Sequence, residues 1–382
     1  MNPTPLRRTP LFPLHQALGA RFVPFAGWEM PVRYQGVIAE HRAVRARVGI
    51  FDISHMGKFT LWGTDLGSHL SRLVPSDLSA VPVGSSRYTV LLNPLGGILD
   101  DVIFYRHPSE GELEHWSVIV NAATRQKDWD WLNHHFQGIP GVNLQDHSDT
   151  QVLLAVQGPA AEQALQPFLE GSLKALRRFQ HGQFAGAAGT LGESIFVART
   201  GYTGEDGFEV MLSPEDGIRL WEQLIQAGVQ PCGLGCRDTL RLEAAFHLYG
   251  QDMDESTTPL EAGLGWLVNN PGDYIGKPAI ESQREQGIPR QLVGFRMLES
   301  APHPYRERAV PRSGYAICAP NSPEPIGRVT SGTHSPSLGY GIGLGYVPPA
   351  WAKVGSRLEI EIRGQRQPAE VVKKPFYRAS HR

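Results

Sequence analysis

Residues 88–105 read YTVLLNPLGGILDDVIFY. Two apolar runs in this stretch, Tyr88–Leu92 and Ile98–Tyr105, flank the five residues Asn93–Gly97, which are rich in turn-forming types. Short runs of apolar, aromatic and β-branched residues joined by a glycine-containing segment are typical of a β-hairpin. We therefore predict two antiparallel strands here, with a five-residue turn between them.

Helical and strand-like patterns alternate around this hairpin. The spacing of apolar residues predicts helices over Gln35–Val48 and Asp65–Val74, with Thr64 as the N-cap of the second. Asn121 is expected to cap a further helix that carries Leu132. The predicted strands lie between these helices, at Lys58–Trp62, Trp116–Val120, Gln151–Val156, Ser194–Arg199 and Phe208–Leu212. Hairpins interleaved with helices indicate an α+β fold.

The pattern changes after about Gly287. Leu358, Ile360 and Ile362 alternate with charged residues, as in a half-buried strand. We predict that residues 289–382 form a small all-β barrel or sandwich, and that residues 1–280 form two intertwined α+β domains.

The composition excludes several classes of protein. The 382 residues carry 36 Lys and Arg against 38 Asp and Glu, a net charge of −2, without the positive excess on which nucleic-acid binding depends. Three cysteines, Cys232, Cys236 and Cys318, are too few for a disulfide framework. No apolar run approaches the ~18 residues of a membrane span, and the N-terminus lacks the apolar core of a signal peptide. We expect a cytoplasmic protein that binds neither nucleic acid nor membrane.

The adjacent acids Asp100 and Asp101 are the first candidate site. Because successive side chains of a strand point to opposite faces, one of the two faces the interior unless a bulge intervenes. A carboxylate among apolar neighbours has a perturbed pKa and can accept a proton or anchor a cationic nitrogen. Alternatively the acids flank a turn and cap backbone amides, and the pattern by itself favours that interpretation.

A glycine-rich segment, Arg199–Glu209, is the second candidate. Its glycines follow G-x-x-G-x-x-G rather than G-x-G-x-x-G, and strands flank both sides, so no helix N-terminus is offered to a phosphate. We interpret the segment as a wide hairpin in which Tyr202 stacks on a flat heterocycle and Glu209 accepts a bidentate hydrogen bond. The alternative is a turn whose acids are solvated.

Arg237 is the third candidate. It stands at the start of a predicted helix, Thr239–Ala245, where a cation opposes the helix dipole. An acidic partner is therefore expected, which is Asp238, another side chain or a ligand carboxylate. The sequence pattern fits a surface ion pair with Asp238 as well as it fits a contact with a ligand.

The sequence shows no motif of a metal site or of a catalytic nucleophile. The acidic run Gln251–Glu255 lacks the glycine of a calcium loop, and Cys232 and Cys236 have no further ligand at zinc-site spacing. Neither a His-Glu-x-x-His pair, a Walker loop nor a Gly-x-Ser-x-Gly elbow occurs. His55 is interpreted as a packing or surface residue. We expect no metal, and a metalloenzyme, a kinase and a serine hydrolase are disfavoured.

Several ordered motifs together resemble one protein family. They run nearly from end to end and include FAGWEMP at 25–31, FDISHMG at 51–57, GGILDD at 96–101, RTGYTGEDGFE at 199–209 and KKPFYR at 373–378. On these motifs the chain resembles the T proteins of the glycine cleavage system, which are tetrahydrofolate-dependent aminomethyltransferases.

The resemblance implies a fold, a reaction and a set of site residues. The fold is three domains around a central folate cavity, with a barrel-like C-terminal domain. The reaction transfers the methylene carbon of aminomethyl-lipoate on the lipoylated H protein to tetrahydrofolate, a co-substrate, and releases ammonia. Asp101, the second acid of the Gly-Gly-x-x-Asp-Asp motif, is implied to be catalytic by positioning or activating folate nitrogens. The implied folate contacts are Glu209, Arg237, Tyr202, Asn121, Tyr88, Met56 and Arg378.

Two other activities are found on the same architecture. One is that of a folate-dependent demethylase, or of the folate domain of a dimethylglycine or sarcosine oxidase. The oxidase needs a flavin domain, for which this sequence shows no pattern. The other is that of a non-catalytic folate-binding protein, whose Lys-x-Gly-Cys-Tyr motif is replaced here by YGQDM at 249–253. We therefore expect the aminomethyltransferase.

Overall fold

The structure, a computed structural model, describes residues 5–298 and 310–379. The helices are α1 (Phe12–Ala17), α2 (Val37–Ala46), α3 (Leu66–Ser71), α4 (Arg125–Phe136), α5 (Ala161–Leu165), α6 (Pro214–Gln226), α7 (Leu234–Glu243) and α8 (Lys277–Gln286). The strands of the N-terminal part are β1 (Arg21–Phe25), β2 (Trp28–Arg33), β3 (Gly49–Asp52), β4 (Gly57–Gly63), β5 (Ser85–Leu92), β6 (Ile98–Glu110), β7 (Leu113–Val120), β8 (Asn143–Asp146), β9 (Val152–Gln157), β10 (His181–Phe184), β11 (Ile195–Ala198), β12 (Gly207–Leu212) and β13 (Gln230–Pro231). Those of the C-terminal part are β14 (Gln291–Met297), β15 (Ala316–Cys318), β16 (Pro325–His334), β17 (Gly341–Val347), β18 (Arg357–Ile362) and β19 (Gln365–Val372).

The predicted hairpin is β5–β6, within a sheet of order β5-β6-β7-β4-β8. The side-chain carbonyl of Asn93 closes the turn by accepting from the amides of Leu95 (2.9 Å) and Gly97 (3.0 Å). A Cβ on Gly97 would lie 1.8 Å from the carbonyl oxygen of Glu255, so only glycine fits there. The β5–β6 register shifts beside Leu92, which places a β-bulge immediately before the two acids.

A second sheet, of order β10-β11-β12-β9-β3-β13, is intertwined with the first. The chain enters the second sheet with β3, leaves it to build the first with β4–β8, and returns with β9. Apolar residues of both sheets, including Tyr105, Ile119 and Phe196, pack in one buried cluster. The expected α+β class with intertwined sheets is confirmed.

Helices cover the other face of each sheet. On the first sheet, α3 and α4 contribute the fully buried Leu66, Leu70 and Leu132. On the second, α6 contributes Leu220 and Trp221. Each such side chain contributes about 1.5–3 kcal/mol of burial free energy, so these apolar faces hold the helices in place.

The C-terminal strands form a closed barrel of order β14-β17-β16-β15-β18-β19, because β14 pairs with both β17 and β19. A Cβ on Gly343 of β17 would lie 2.4 Å from the ring of Phe295, so glycine lets that ring fill the barrel. The expectation of a barrel is confirmed. Helix α8 ends at Gln286 and β14 begins at Gln291. The division into residues 1–280 and 289–382 stays a prediction.

Buried hydrogen bonds and an ion pair at Glu243 connect α7 to the barrel and to α2. The Glu243 carboxylate, at the end of α7, accepts from Ser337 Oγ (2.8 Å) of the barrel and from Arg45 Nη2 (2.9 Å) of α2. His41 Nε2 lies 3.2 Å from the same carboxylate. These hydrogen bonds and the nearby charges hold the pKa of Glu243 at about 2, against the opposing effect of burial.

Two predicted N-caps are wrong. Helix α3 begins at Leu66 after Asp65, whose φ of 52° is left-handed, and the first-turn amide of Gly67 donates to Glu114 Oε2 (2.7 Å), so Thr64 is not the cap. Helix α4 begins at Arg125 rather than after Asn121. The amide of Asn121 is instead directed to two aspartates, because buried carboxylates need hydrogen-bond donors.

None of the helices in residues 5–298 and 310–379 has the length and apolar character needed to span a membrane.

Three histidines, one each on β6, β7 and β10, form a contact between the two sheets. The ring of His107 lies 4.4 Å from that of His115 and 4.8 Å from that of His181, between centroids. Burial lowers the pKa of His107 to about 3 and that of His181 to about 4. The histidines of this contact are therefore neutral at physiological pH.

We predict that His107→Gln makes the unfolding free energy less dependent on pH. The imidazole has a pKa of about 6.5 in the unfolded chain, so the unfolded state takes up the proton first as the pH falls. Stability carried by neutral His107 is complete above about pH 7 and is lost between about pH 6.5 and 3. Between pH 7 and 5, wild type should lose about 1–2 kcal/mol more than the variant in urea denaturation.

The matched control is His134→Gln, since His134 is exposed on α4. It should keep the pH dependence of wild type. Equal pH dependence in His107→Gln and wild type would contradict the prediction.

Candidate active site

Three side chains meet where β5, β6 and the end of β7 lie side by side. Tyr88 Oη donates to Asp101 Oδ2 (3.1 Å), and Asn121 Nδ2 donates to Asp101 Oδ1 (2.8 Å). Both oxygens of the Asp101 carboxylate are therefore held in place. The residue is only partly buried, so the carboxylate is restrained without being sealed into a core.

Asp100 and Asp101 lie on opposite faces of β6, as strand alternation predicts. Asp100 is fully buried on the face that α4 covers, whereas Asp101 lies on the face shared with the second sheet. Asp100 accepts from the backbone amide (3.0 Å) and the side-chain amide (2.9 Å) of Asn121. The first acid thus caps a backbone amide, as the alternative interpretation of the pair expected, whereas side chains hold the second.

Electrostatics make Asp101 a group that titrates near neutral pH. Burial and the neighbouring charge of Asp100 raise the pKa of Asp101 to about 7, and the hydrogen bonds from Tyr88 and Asn121 oppose this shift. Such a carboxyl can both accept and return a proton during a reaction. Burial and the charge of Asp101 raise the pKa of Tyr88 well above its usual value, so the phenol stays a donor.

The second sheet and α7 contribute Glu209, Tyr202 and Arg237. Glu209 on β12 is buried and accepts from Thr200 Oγ1 (2.5 Å). The Arg237 guanidinium lies 4.6 Å from the centroid of the Tyr202 ring, a cation–π contact. Arg237 Nη1 is buried and has no hydrogen-bond partner within the described part of the chain. A buried charged donor of this kind needs an acceptor, which an ordered water or a ligand can supply.

Arg237 does not pair with Asp238. Helix α7 begins at Leu234 rather than at Thr239, so both residues lie inside the helix and point about 100° apart. Asp238 instead accepts from Arg241 Nε (2.8 Å), one turn further along. The surface pair that the sequence left open is therefore wrong.

A buried hydrogen-bond network around Arg241 supports the position of Tyr202. Arg241 Nη1 donates to Asp252 Oδ2 (2.7 Å), and Arg241 Nη2 donates to Ser331 Oγ (2.9 Å) of the barrel. Arg241 Nη1 also donates to the Phe246 carbonyl (3.1 Å), and the Phe246 ring stacks on Tyr202. The acidic run that includes Asp252 therefore supplies the partner of a buried arginine.

Residues from both sheets act on one another electrostatically. After burial, the charge of Asp101 contributes to raising the pKa of Tyr88 and also that of Tyr202, which lies in the loop between β11 and β12. Met56 lies between β3 and β4, partly buried against the apolar cluster that both sheets share. Arg378 is exposed in the segment after β19, and its membership of the site stays a prediction.

Two buried residues beside the site were not selected from the sequence. Asp128 on α4 is fully buried and lies four and eight residues before the buried Leu132 and Phe136. A carboxyl on an apolar helical stripe was the signal that could have identified it. His55, interpreted above as a packing or surface residue, is buried, and its Nδ1 has no partner among the described residues. Burial lowers its pKa to about 3, and the charge of Arg237 contributes.

Glu40, Cys232 and Cys236 bring one metal-ligating atom each within 4.8 Å of one another. These donors do not fit a bound metal. Glu40 Oε1 accepts from the amide of Tyr34 (2.7 Å), and Oε2 accepts from that of Gly233 (2.9 Å). Burial raises the pKa of Cys232 well above its usual value, so the thiolate that a metal needs is disfavoured.

Comparisons with known proteins agree with this architecture. Residues 11–271 match the family described as the GCVT N-terminal domain, and residues 290–378 match the glycine cleavage T-protein C-terminal barrel domain. A protein from Bartonella henselae, described as glycine cleavage system aminomethyltransferase T, has a similar crystal structure. It is 35% identical, with a TM-score of 0.87, over 98% of this chain and 99% of that one.

Curated relatives cover the same length. A protein named aminomethyltransferase from Picosynechococcus sp. is 53% identical over 98% of this chain and 99% of its own. One of the same name from Nostoc sp. is 51% identical over 99% of this chain and 97% of its own. Both halves of the chain and its whole length thus match the same proteins, and the chain belongs to the glycine cleavage T-protein family.

Proposed function

We propose that the chain is the aminomethyltransferase of a glycine cleavage system and that tetrahydrofolate accepts the one-carbon group. The donor in this proposal is the lipoylated H protein, whose arm carries an S–CH2–NH3+ group. Full-length identity of about half to proteins named aminomethyltransferase supports the reaction class. The observation that carries the chemistry is the Asp101 carboxylate, held by Tyr88 and Asn121 and titrating near neutral pH.

In this reaction the methylene carbon exchanges its bonds to nitrogen and sulfur for two bonds to folate nitrogens. Loss of ammonia leaves a carbocation stabilised by the attached sulfur, S=CH2+, which a folate nitrogen attacks, and the second folate nitrogen then displaces the sulfur. The two protons released by the folate nitrogens go to ammonia and to the lipoyl thiolate. Asp101 stabilises the positive charge on the carbon and carries a proton between these groups. No covalent bond to the protein is needed.

Binding of the folate in this proposal rests on groups from β12, from the β11–β12 loop and from α7. Glu209 accepts hydrogen bonds from the amino-pyrimidinone edge, whose adjacent N–H groups suit a carboxylate. Arg237 Nη1, a buried donor without a partner in the described residues, donates to an acceptor of the same ligand. Tyr202 offers the ring its aromatic face. The remaining contacts in the proposal are Asn121, Tyr88, Met56 and Arg378.

The deciding experiment measures ammonia released by the purified chain from aminomethyl-loaded H protein, with and without tetrahydrofolate. We expect release that depends strongly on folate and is matched by methylenetetrahydrofolate. Folate binding without turnover would contradict the proposal and favour a demethylase or a non-catalytic folate protein.

We predict that Asp101→Asn lowers the rate of transfer by about 10²–10⁴-fold, because the amide can neither take up a proton nor neutralise the cation. Folate affinity should change little, since the isosteric amide still contacts Tyr88 and Asn121. Single-turnover kinetics measure the rate, and calorimetry measures the affinity. Near-normal turnover would remove Asp101 from the catalytic role.

We predict that Glu209→Ala weakens tetrahydrofolate binding by about 10–100-fold, the loss expected when hydrogen bonds to a charged group are removed. Glu215→Ala is the matched control, because the Glu215 side chain is 79% exposed at the start of α6. Calorimetric titration of both variants measures the effect. Equal affinity in the two variants would show that Glu209 does not contact folate.

A further inference from the structure

One amide group links Asp101 to a second carboxylate inside the core. Asn121 Nδ2 donates to Asp101 Oδ1 at 2.8 Å and to Asp100 Oδ1 at 2.9 Å. An amide nitrogen carries two hydrogens, so both are directed to carboxylates. The orientation of the Asp101 carboxylate therefore depends on where Asp100 lies.

Asp100 itself is fully buried and lies beside a third acid. Asp128, on the buried face of α4, is also fully buried, and neither of its carboxyl oxygens has a hydrogen-bond partner by ordinary geometry among the described residues. Burial and the charge of Asp100 raise the pKa of Asp128 to about 10. The Asp128 carboxyl is therefore protonated at neutral pH and carries a hydrogen that only an acceptor such as Asp100 can satisfy.

Other ionisable groups surround this cluster on each side. Tyr88 of β5 faces Asp101, and Tyr202 lies near enough to feel its charge. On the far side, Asp100 influences Tyr249, while Lys127 of α4 acts on Asp128. The Lys127 ammonium is itself occupied by Glu255 at 2.7 Å. The negative charge nearest to Asp101 is thus that of Asp100.

We propose that Asp100, Asn121 and Asp128 form a positioning cluster that orients Asp101 and sets how readily it takes up a proton. Burial raises the pKa of Asp100, and the proton that Asp128 holds against it, together with the hydrogen bonds from Asn121, opposes that shift and allows Asp100 to stay ionised in the core. The ionised Asp100 repels negative charge on Asp101, while Asn121 keeps the two carboxylates in register. The inference deepens the proposed function, on which it rests for its meaning in catalysis. Asp100 and Asp128 act only through Asp101.

The test follows the ionisation of Asp101 directly, without substrate. The 13C signal of its carboxyl, assigned by its loss in Asp101→Asn, is titrated over about pH 5 to 9 in the full-length protein. In Asp100→Asn the pKa of Asp101 should fall by about 1–2 units, because the repelling charge is gone. An unchanged Asp101 pKa in a folded Asp100→Asn protein would overturn the proposal.

Two variants of Asp128 distinguish the effect of its proton from the effect of its side-chain volume. Asp128→Asn keeps a hydrogen donor beside Asp100, so the Asp101 titration should stay close to that of wild type. Asp128→Leu fills similar space without a donor, so Asp100 takes up a proton and the pKa of Asp101 should fall. Identical titrations in these two variants would overturn the proposal, even if Asp100→Asn does not fold. Asp130→Asn, an exposed position on the same helix, is the matched control.

The same variants distinguish this inference from the proposed function. If the chain transfers the aminomethyl group, the acid limb of kcat should move to lower pH in Asp100→Asn and Asp128→Leu. If the Asp101 titration shifts but the chain does not transfer the aminomethyl group, the result would support the positioning cluster and would contradict only the proposed function.

Discussion

The bridge from the Asn121 amide to Asp100 and Asp101 is the interaction on which the site depends. It joins two adjacent carboxylates that lie on opposite faces of one strand. A register slip of a single residue would exchange those faces and place the wrong acid toward the second sheet. The bulge beside Leu92 is therefore part of the site, because it sets the register just before both acids.

Helix α7 contributes Arg237 to the candidate site and also contacts the barrel. The helix carries Arg237 near Tyr202, Arg241 one turn later against Asp252, and Glu243, half a turn beyond Arg241, against α2 and the barrel. Removing one partner of such a buried pair costs about 3–5 kcal/mol, since the other charge is left without compensation. The helix is thus held by charges at its end, and the position of Arg237 follows from contacts made more than one turn away.

Local patterns predicted much of this fold. The β5–β6 hairpin, the alternation of helices with strands and the C-terminal barrel depend on periodicity and turn chemistry that act within about twenty residues. The errors arose where a tertiary contact, or a helix that begins earlier than predicted, changed a local preference. Asn121 is a good N-cap by type, yet it contacts two buried aspartates, and Asp238 contacts Arg241 rather than its neighbour Arg237.

The sequence by itself determined the fold class and the family resemblance, and the resemblance alone implied Asp101 rather than Asp100, because ordered motifs and strand alternation are properties of the chain. Only the tertiary structure decided that Asp128 lies against Asp100, that Arg237 Nη1 is buried with no partner in the described residues, and that Asp101 titrates near neutral pH. Proton affinity depends on burial and on charges within a few ångströms. Those neighbours come from strands and helices that are far apart along the chain, and folding alone brings them together.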